Sequence, residues 1–93
     1  RSLFNQIFSD RAVLMKGIAE AATLRDKIEV IFLSTLNRPP SEKETVLMLE
    51  ELSNYGPVND NGNGKISSDK PYIKGYRNII SALMNTRQYM FLQ

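Results

Sequence analysis

The sequence of 93 residues contains no cysteine and no histidine. Without cysteine the chain can form no disulfide, no cysteine-ligated zinc site, no covalent haem attachment through C-x-x-C-H and no thiol nucleophile. The lack of histidine removes the commonest general base and metal ligand, and with it any Ser-His-Asp arrangement. Few catalytic mechanisms remain for one domain with both absences, so we expect no catalytic residue and no cofactor in this chain.

The sequence also has little net charge and no long apolar run. The net charge of +2 is too small to indicate nucleic acid or an anionic membrane as a partner. No apolar run approaches the roughly 20 residues of a membrane span. Apolar residues make up 42% and charged residues 24% of the chain, close to globular averages, so we expect a folded domain. Because the chain opens on Arg1, we expect it to be part of a longer protein.

What the sequence does contain is helical periodicity, centred on residues 23–52. Apolar side chains recur at helical spacing over 24–36, and Thr23 with Asp26 resembles a capping box. Pro39 ends this helix, because proline disfavours helical dihedrals at the residue before it. The spacing therefore predicts a central amphipathic helix, its apolar face widened by Val30 and Leu33, that stops at a rigid proline corner.

A second helix starts directly after the corner. Ser41 and Glu44 form an S-x-x-E capping box. The helix is predicted to end before Gly56, a favourable residue just past a helix end. Its predicted buried face consists of Val46, Leu49 and Leu52, with Met48 beside them.

These patterns predict one all-α domain over 1–93, a small helical bundle of about five helices plus a short C-terminal turn. We expect helices near 2–8, 11–22, 24–36, 42–54 and 72–85, and the turn near 87–91. The stretch 58–71 is rich in Asn, Gly, Ser and Asp and is predicted to be a flexible polar loop. The residues expected to form the core are Ile28, Ile31, Phe32, Leu36, Leu49, Leu52, Ile80, Leu83 and Phe91.

Two stretches carry a family resemblance, IEVIFLSTLNRPPSEKE and YRNIISALMNTRQYMFLQ. They resemble the C-terminal domain, of unknown function, of planctomycete cytochrome-c-associated multidomain exported proteins. The first motif of that family, (T/A)L-x-RPP-(T/S)-x-x-E, falls on Thr35, Leu36, Arg38, Pro39, Pro40, Ser41 and Glu44. The second falls on Ile79, Ile80, Ala82, Leu83, Met84, Asn85, Thr86, Gln88, Tyr89, Met90 and Phe91. Asn78 and Ser81 stand where the family has an acidic residue and a tryptophan.

The resemblance implies a C-terminal fragment of an exported protein located outside the cytoplasm, in the periplasm or at the cell surface. It implies haem-binding and carbohydrate-recognition-like modules elsewhere in that protein, and it assigns no catalytic residue. The implied partners are other domains of the parent protein or a separate protein.

The polar loop offers a weak calcium motif. In an EF-hand-like register Asn59, Asn61 and Asn63 take the first ligand positions and Ser67 a later one. Lys70 occupies the closing position, where a bidentate glutamate is needed, and the first three ligands are neutral amides. A turn in which these residues tolerate positive φ is the favoured interpretation.

A basic and aromatic cluster follows the loop and could in principle grip a nucleic-acid backbone and stack bases. We favour a solvated helix start, because acidic residues dilute the cluster and Tyr76 lies on the apolar helix face. The members of this cluster are Lys65, Lys70, Tyr72, Lys74, Tyr76 and Arg77.

Two polar residues are predicted to have structural roles. Arg38 is expected to cap the carbonyls that end the 24–36 helix or to pair with Glu42 or Glu44, and a contact to the rest of the parent protein is the less favoured alternative. Asn85, followed by Thr86, is expected to interrupt the last helix and to cap the final turn with a buried side chain. The carboxylates Glu42, Glu44, Glu50 and Glu51 lie on wet faces, so they do not form a general acid/base pair.

The sequence thus predicts a non-catalytic domain for packing or assembly within a larger protein. One alternative is an accessory part of a carbohydrate- or redox-linked enzyme whose active site lies in other segments. Another is a weak calcium-binding module formed by residues 59–70.

Overall fold

The computed structural model describes the backbone of residues 11–92 and the side chains of residues 14–85. Within this range the chain folds into four α-helices: α1 (Arg11–Glu20), α2 (Leu24–Leu36), α3 (Glu42–Leu52) and α4 (Ile73–Leu92). Two short 3₁₀ turns, Asn59–Gly62 and Lys70–Tyr72, lie between α3 and α4. The predicted small helical domain is confirmed for the described range, which contains four helices and no strand. The predicted helix near 2–8 lies outside the described residues.

Helix α2 is the central element, because it packs against α1, α3 and α4. Its start follows the predicted capping pattern, since the Thr23 hydroxyl accepts a hydrogen bond from the Asp26 amide at 3.1 Å. It ends at Asn37, which adopts the left-handed conformation with φ 61°. Asparagine tolerates this conformation better than most residues, so the chain can turn sharply before Pro39.

Both arms of the predicted capping box start α3. The Glu44 amide donates to the Ser41 hydroxyl at 3.1 Å, and the Ser41 amide donates to the Glu44 carboxylate at 2.8 Å. Helix α4 then crosses α3 closely at Gly75, where an added Cβ atom would lie 2.6 Å from the Leu52 side chain. The absence of a side chain at Gly75 therefore fixes how near the two helices come.

The predicted break at Asn85 and Thr86 is wrong, because α4 continues without interruption from Ile73 to Leu92. Asn85 lies inside the helix and its side chain is exposed, so it does not cap a separate final turn from a buried position. Asparagine and threonine are only moderately poor helix formers, and the segment contains no proline to stop it.

Six of the residues predicted for the core are buried: Ile28, Ile31, Phe32, Leu49, Leu52 and Leu83. Leu36 and Ile80 are half-buried against them, and Phe91 lies outside the described side chains. The core also contains Ile18, Leu24, Tyr72, Tyr76 and Ile79.

Two side chains that were expected to face inward point to solvent. Val46 is 39% exposed and Leu33 is 44% exposed. On α3 the buried side chains are Thr45, Leu49 and Leu52, which share one narrow face. Val46 is one residue away from Thr45, and that rotates its side chain by about 100° around the helix, off this face.

Candidate functional site

The 58–71 segment is folded onto the start of α2. Its backbone forms an isolated antiparallel bridge between Lys65 and Thr23, and the Ile66 amide donates to the Ala22 carbonyl at 3.1 Å. Gly62 is buried with φ 84°, and an added Cβ atom there would lie 2.6 Å from the Leu49 side chain. The mobility expected for this segment stays a prediction, but its contacts are those of a packed part of the domain.

Arg25, in the first turn of α2, connects this segment to α3. Its Nε atom donates to the Asn61 carbonyl at 2.7 Å. Its two terminal nitrogens donate to the two carboxylate oxygens of Glu42 at 2.9 and 3.0 Å. The hydrogen bonds raise the pKa of Arg25 and lower the pKa of Glu42. One guanidinium therefore joins three parts of the chain, and Glu42 stays ionised as its partner.

Lys27 lies on the buried side of α2 and is only 2% exposed. Its ammonium donates to the carbonyls of Ile18, at 2.6 Å, and Ala21, both at the end of α1. It also forms an ion pair with the Asp69 carboxylate, with Nζ 3.2 Å from Oδ1. Two hydrogen bonds and one ion pair therefore compensate the buried charge of the ammonium.

Asp69 links Lys27 to α4 through a second bond. The Tyr76 hydroxyl donates to the same Oδ1 atom at 2.7 Å. Burial, and secondarily the hydrogen bond to Asp69, raises the pKa of Tyr76 above its ordinary value. The tyrosine thus keeps its proton at any physiological pH and acts as a donor. Lys27, Asp69 and Tyr76 form a network that connects α1, α2, the 58–71 segment and α4.

A second charged arrangement lies at the corner between α2 and α3. The two terminal nitrogens of Arg38 donate to the Glu44 carboxylate at 2.9 and 2.8 Å, and the guanidinium lies 5.7 Å from the centroid of the Phe32 ring. The bonds from Arg38, and secondarily the bond from the Ser41 amide, lower the pKa of the Glu44 carboxyl to about 2. Of the roles considered for Arg38, pairing with Glu44 is the one found. Pro39 and Pro40 lie between Arg38 and Glu44 in the sequence.

The residues of the weak calcium motif do not meet other strong ligands. The side chains of Asn59, Asn61, Asn63 and Ser67 are all exposed. Among the described residues, no group of three or more Asp, Glu, His or Cys side chains is placed to hold a metal ion. The guanidinium of Arg25 lies 2.7 Å from the Asn61 carbonyl, where its positive charge opposes a cation. The absence of a metal site stays a prediction.

The basic and aromatic cluster is divided between surface and core. Lys65, Lys70, Lys74 and Arg77 are exposed, whereas the two tyrosines are buried. The Tyr72 hydroxyl donates to the Pro57 carbonyl at 2.6 Å, and the Tyr72 and Tyr76 rings stack at a centroid distance of 6.3 Å. Neither ring presents a face on which a nucleic-acid base could stack.

An open groove of about 250 Å³ lies between the first turns of α2 and the proline corner. Arg25 and Glu42 form part of its wall, and their charges are bonded to each other. The carboxylates of Asp26 and Glu29 are exposed at the groove. The residues that line the groove are Arg25, Asp26, Glu29, Pro39, Pro40, Glu42 and Thr45.

Sequence reasoning did not single out Arg25, Lys27 or Asp69. A signal for Lys27 was present, because it stands three residues after Leu24 and four before Ile31, on the inward face of a helix. A lysine at such a position needs a buried acceptor. No comparable signal marked Asp69, whose partner comes from a distant part of the sequence.

No helix of the described part of the chain is both long and apolar enough to cross a bilayer. Comparison with protein-family models, with curated proteins and with solved structures finds no match to this chain.

Proposed function

We propose that this chain is a non-catalytic helical domain that packs against, or mediates the assembly of, a larger exported protein. The observation that carries the proposal is that several charged side chains are bonded to one another or to backbone carbonyls. Glu42 and Glu44 are each held by an arginine through two hydrogen bonds, and Lys27 donates to two carbonyls and pairs with Asp69. Groups engaged in this way stabilise helix ends and connections, which supports a structural role for them.

Exposed apolar side chains support a packing role. Leu33 on α2 and Leu47 on α3 are 44% and 54% exposed, and Val46 is 39% exposed. An assembly domain needs apolar surface that a neighbouring domain can cover. Other domains of the parent protein are the partner we propose, and the resemblance to cytochrome-c-associated exported proteins is the basis for proposing that this partner lies outside the cytoplasm.

The lack of cysteine in the chain allows a direct test. Leu33→Cys and Leu47→Cys introduce single thiols at exposed apolar positions, and Lys43→Cys is a matched control at an exposed polar position. The labelling rate of each thiol by a small alkylating reagent is measured in the isolated chain and in the full-length parent protein. We expect labelling of at least one apolar position to slow by tenfold or more in the parent, with no change at the control.

Equal labelling rates in the two contexts at all three positions would contradict the assembly role. Slower labelling at the control as well would show non-specific shielding, which also contradicts a docking surface formed by the apolar residues.

The groove at the proline corner favours a second candidate function, an accessory part of an enzyme whose active site lies in other segments of the parent protein. Asp26 and Glu29 present exposed carboxylates at a polar opening of about 250 Å³. A parent enzyme would then lose activity in a Glu29→Gln variant whose thermal stability is unchanged. Glu50→Gln, an exposed carboxylate on α3 away from the groove, is the control. Unchanged activity of both variants would leave assembly as the function to pursue.

A further inference from the structure

Lys27 brings a charge into the interior and bonds to two separate parts of the chain. Its ammonium donates to the Ile18 and Ala21 carbonyls at the end of α1. It also pairs with Asp69 in the 58–71 segment. Asp69 is more accessible, with a side chain that is 22% exposed, so the carboxylate lies at the outer end of the network.

We propose that Lys27 and Asp69 form a latch that couples the docking of α1 to the closure of the 58–71 segment. If the segment lifts away, the buried ammonium loses its carboxylate. A buried charge without a partner is strongly unfavourable, so Lys27 then turns toward water. The Ile18 and Ala21 carbonyls lose the lysine hydrogen bonds when it does, and the end of α1 is released.

The backbone contacts beside the latch support this coupling. The Ile66 amide of the segment donates to Ala22, one residue after the carbonyl of Ala21 that Lys27 binds. The turn between α1 and α2 is therefore bound both by the segment backbone and by the lysine. Coupling between two equilibria is reciprocal, so loosening α1 must also loosen the segment.

Opening of the latch uncovers apolar surface. Ile18 on α1 and Leu24 at the start of α2 are each 1% exposed in the closed state. The latch thus controls whether this surface is available to another part of the protein or to a partner. This inference goes beyond the proposed assembly role and does not depend on it, because it concerns the two local equilibria of the chain itself.

Native-state hydrogen exchange tests the latch with three amides as reporters. The Ile66 amide reports closure of the segment, the Ile18 amide reports α1, and the Leu49 amide inside α3 serves as the reference for global unfolding. The variant is Asp69→Asn, which removes the negative charge and keeps the size. Its matched control is Asp60→Asn, an exposed position in the same segment.

We expect Asp69→Asn to speed exchange at Ile66 and Ile18 together, by roughly tenfold or more beyond any change at Leu49. Asp60→Asn should leave all three unchanged. Faster exchange at Ile66 alone would overturn the coupling. An equal rise at all three amides, or no rise at all, would overturn the latch, because the bond would then contribute only to global stability or to nothing.

Ile18→Val tests the reverse direction. This change removes one methyl group from α1 and leaves the sequence of the 58–71 segment and the backbone carbonyl that Lys27 binds unaltered. The latch predicts that exchange at Ile66 increases more than exchange at Leu49. An unchanged ratio of the two rates would show that α1 and the segment open independently, and it would overturn the proposal.

Discussion

The corner between α2 and α3 and the 58–71 segment both connect helices, but they are held in different ways. At the corner the bonded partners are close in sequence: Arg38 and Glu44 are 6 residues apart, and Ser41 and Glu44 are 3 apart. The bonds between the 58–71 segment and α2 join distant residues, since Arg25 and Asn61 are 36 residues apart. The corner is thus specified by its own short sequence, whereas the segment takes its shape from the helices on which it lies.

This difference has an energetic counterpart. The corner bonds are at the surface, where water screens charges and each pair contributes little. The Lys27–Asp69 pair lies largely out of water, where an unmatched charge is costly and the loss of one partner has a large effect. Substitutions in the two regions should therefore differ in the size of their effect, and the following measurements rank them.

The largest effect on stability is expected for Phe32→Ala, which removes the buried ring that lies under the Arg38 guanidinium at the corner. Phe32 is fully buried, and the loss of a buried phenylalanine should lower the free energy of unfolding by about 3–5 kcal/mol. Urea denaturation measures the change. Leu33→Ala, at the next residue and 44% exposed, is the control and should cost less than about 1 kcal/mol. A loss of less than about 1 kcal/mol for Phe32→Ala would contradict the central position of α2.

Lys27→Met should have the next largest effect. It removes the lysine hydrogen bonds to the Ile18 and Ala21 carbonyls and leaves Asp69 without its cation. Because Asp69 is partly accessible to water, we expect a loss of about 2–3 kcal/mol, at the lower end for a broken buried pair. Lys43→Met, at an exposed position of α3, should change stability by no more than about 0.5 kcal/mol. Equal losses of stability in the two variants would contradict the proposed energetic difference between core and surface charges.

At the corner, Ser41→Ala removes one arm of the capping box that starts α3. The expected loss is about 1 kcal/mol, because the amide of Glu44 loses its acceptor. Ser34→Ala, at an exposed position inside α2, should be neutral or slightly stabilising, since alanine is the better helix former. The two variants are compared by their urea midpoints. A similar result for both would mean that the box does not stabilise α3.

Acid should weaken the corner through Glu44. Its pKa falls from 4.5 to about 2 in the folded protein, so its contribution is present above pH 4.5 and is lost as the pH falls toward 2. The side chain is 32% exposed, and solvent screening limits the contribution to about 1 kcal/mol. Urea midpoints across this pH range should decline less for Glu44→Gln than for the unchanged protein. The exposed Glu50→Gln control should decline as the unchanged protein does, and parallel curves for all three proteins would rule out this role of Glu44.

The smallest expected effect is that of calcium on the 58–71 segment, where we predict none. Three neutral amides with Lys70 at the closing position supply too little negative charge to offset the dehydration of the ion. Calorimetric titration with millimolar calcium, against a chelator-treated sample, should give no saturable heat and no change in Tm. Saturable heat with a rise in Tm would instead support the calcium-binding alternative.

The corner shows how much could be predicted from the sequence. The Ser41 box, the stop before Pro39 and the pairing of Arg38 with Glu44 all depend on residues within a few positions of each other. Because the bonded residues are close in sequence, their spacing is enough to predict these bonds. The position of Lys27 on the apolar face could also have been derived, although its partners could not.

The continuity of α4 shows where local patterns fail. Asn85 and Thr86 are weak helix formers, but the helix runs through them to Leu92. A propensity deficit of a few tenths of a kcal/mol per residue is too small to end a helix that contains no proline. The exposure of Val46 could not be predicted for another reason, because the angle at which α3 meets its neighbours decides which side of its apolar surface is covered.

The sequence by itself determined the helical class, the three helices α1 to α3 within a few residues, and the caps around the proline corner. Periodicity and capping are local, so they can be read along the chain. Only the tertiary structure decided that the polar 58–71 segment folds onto α2, that Arg25 reaches Asn61, and that Asp69 meets Lys27. These contacts join residues far apart in sequence, and their geometry exists only after the helices have packed and brought the partners together.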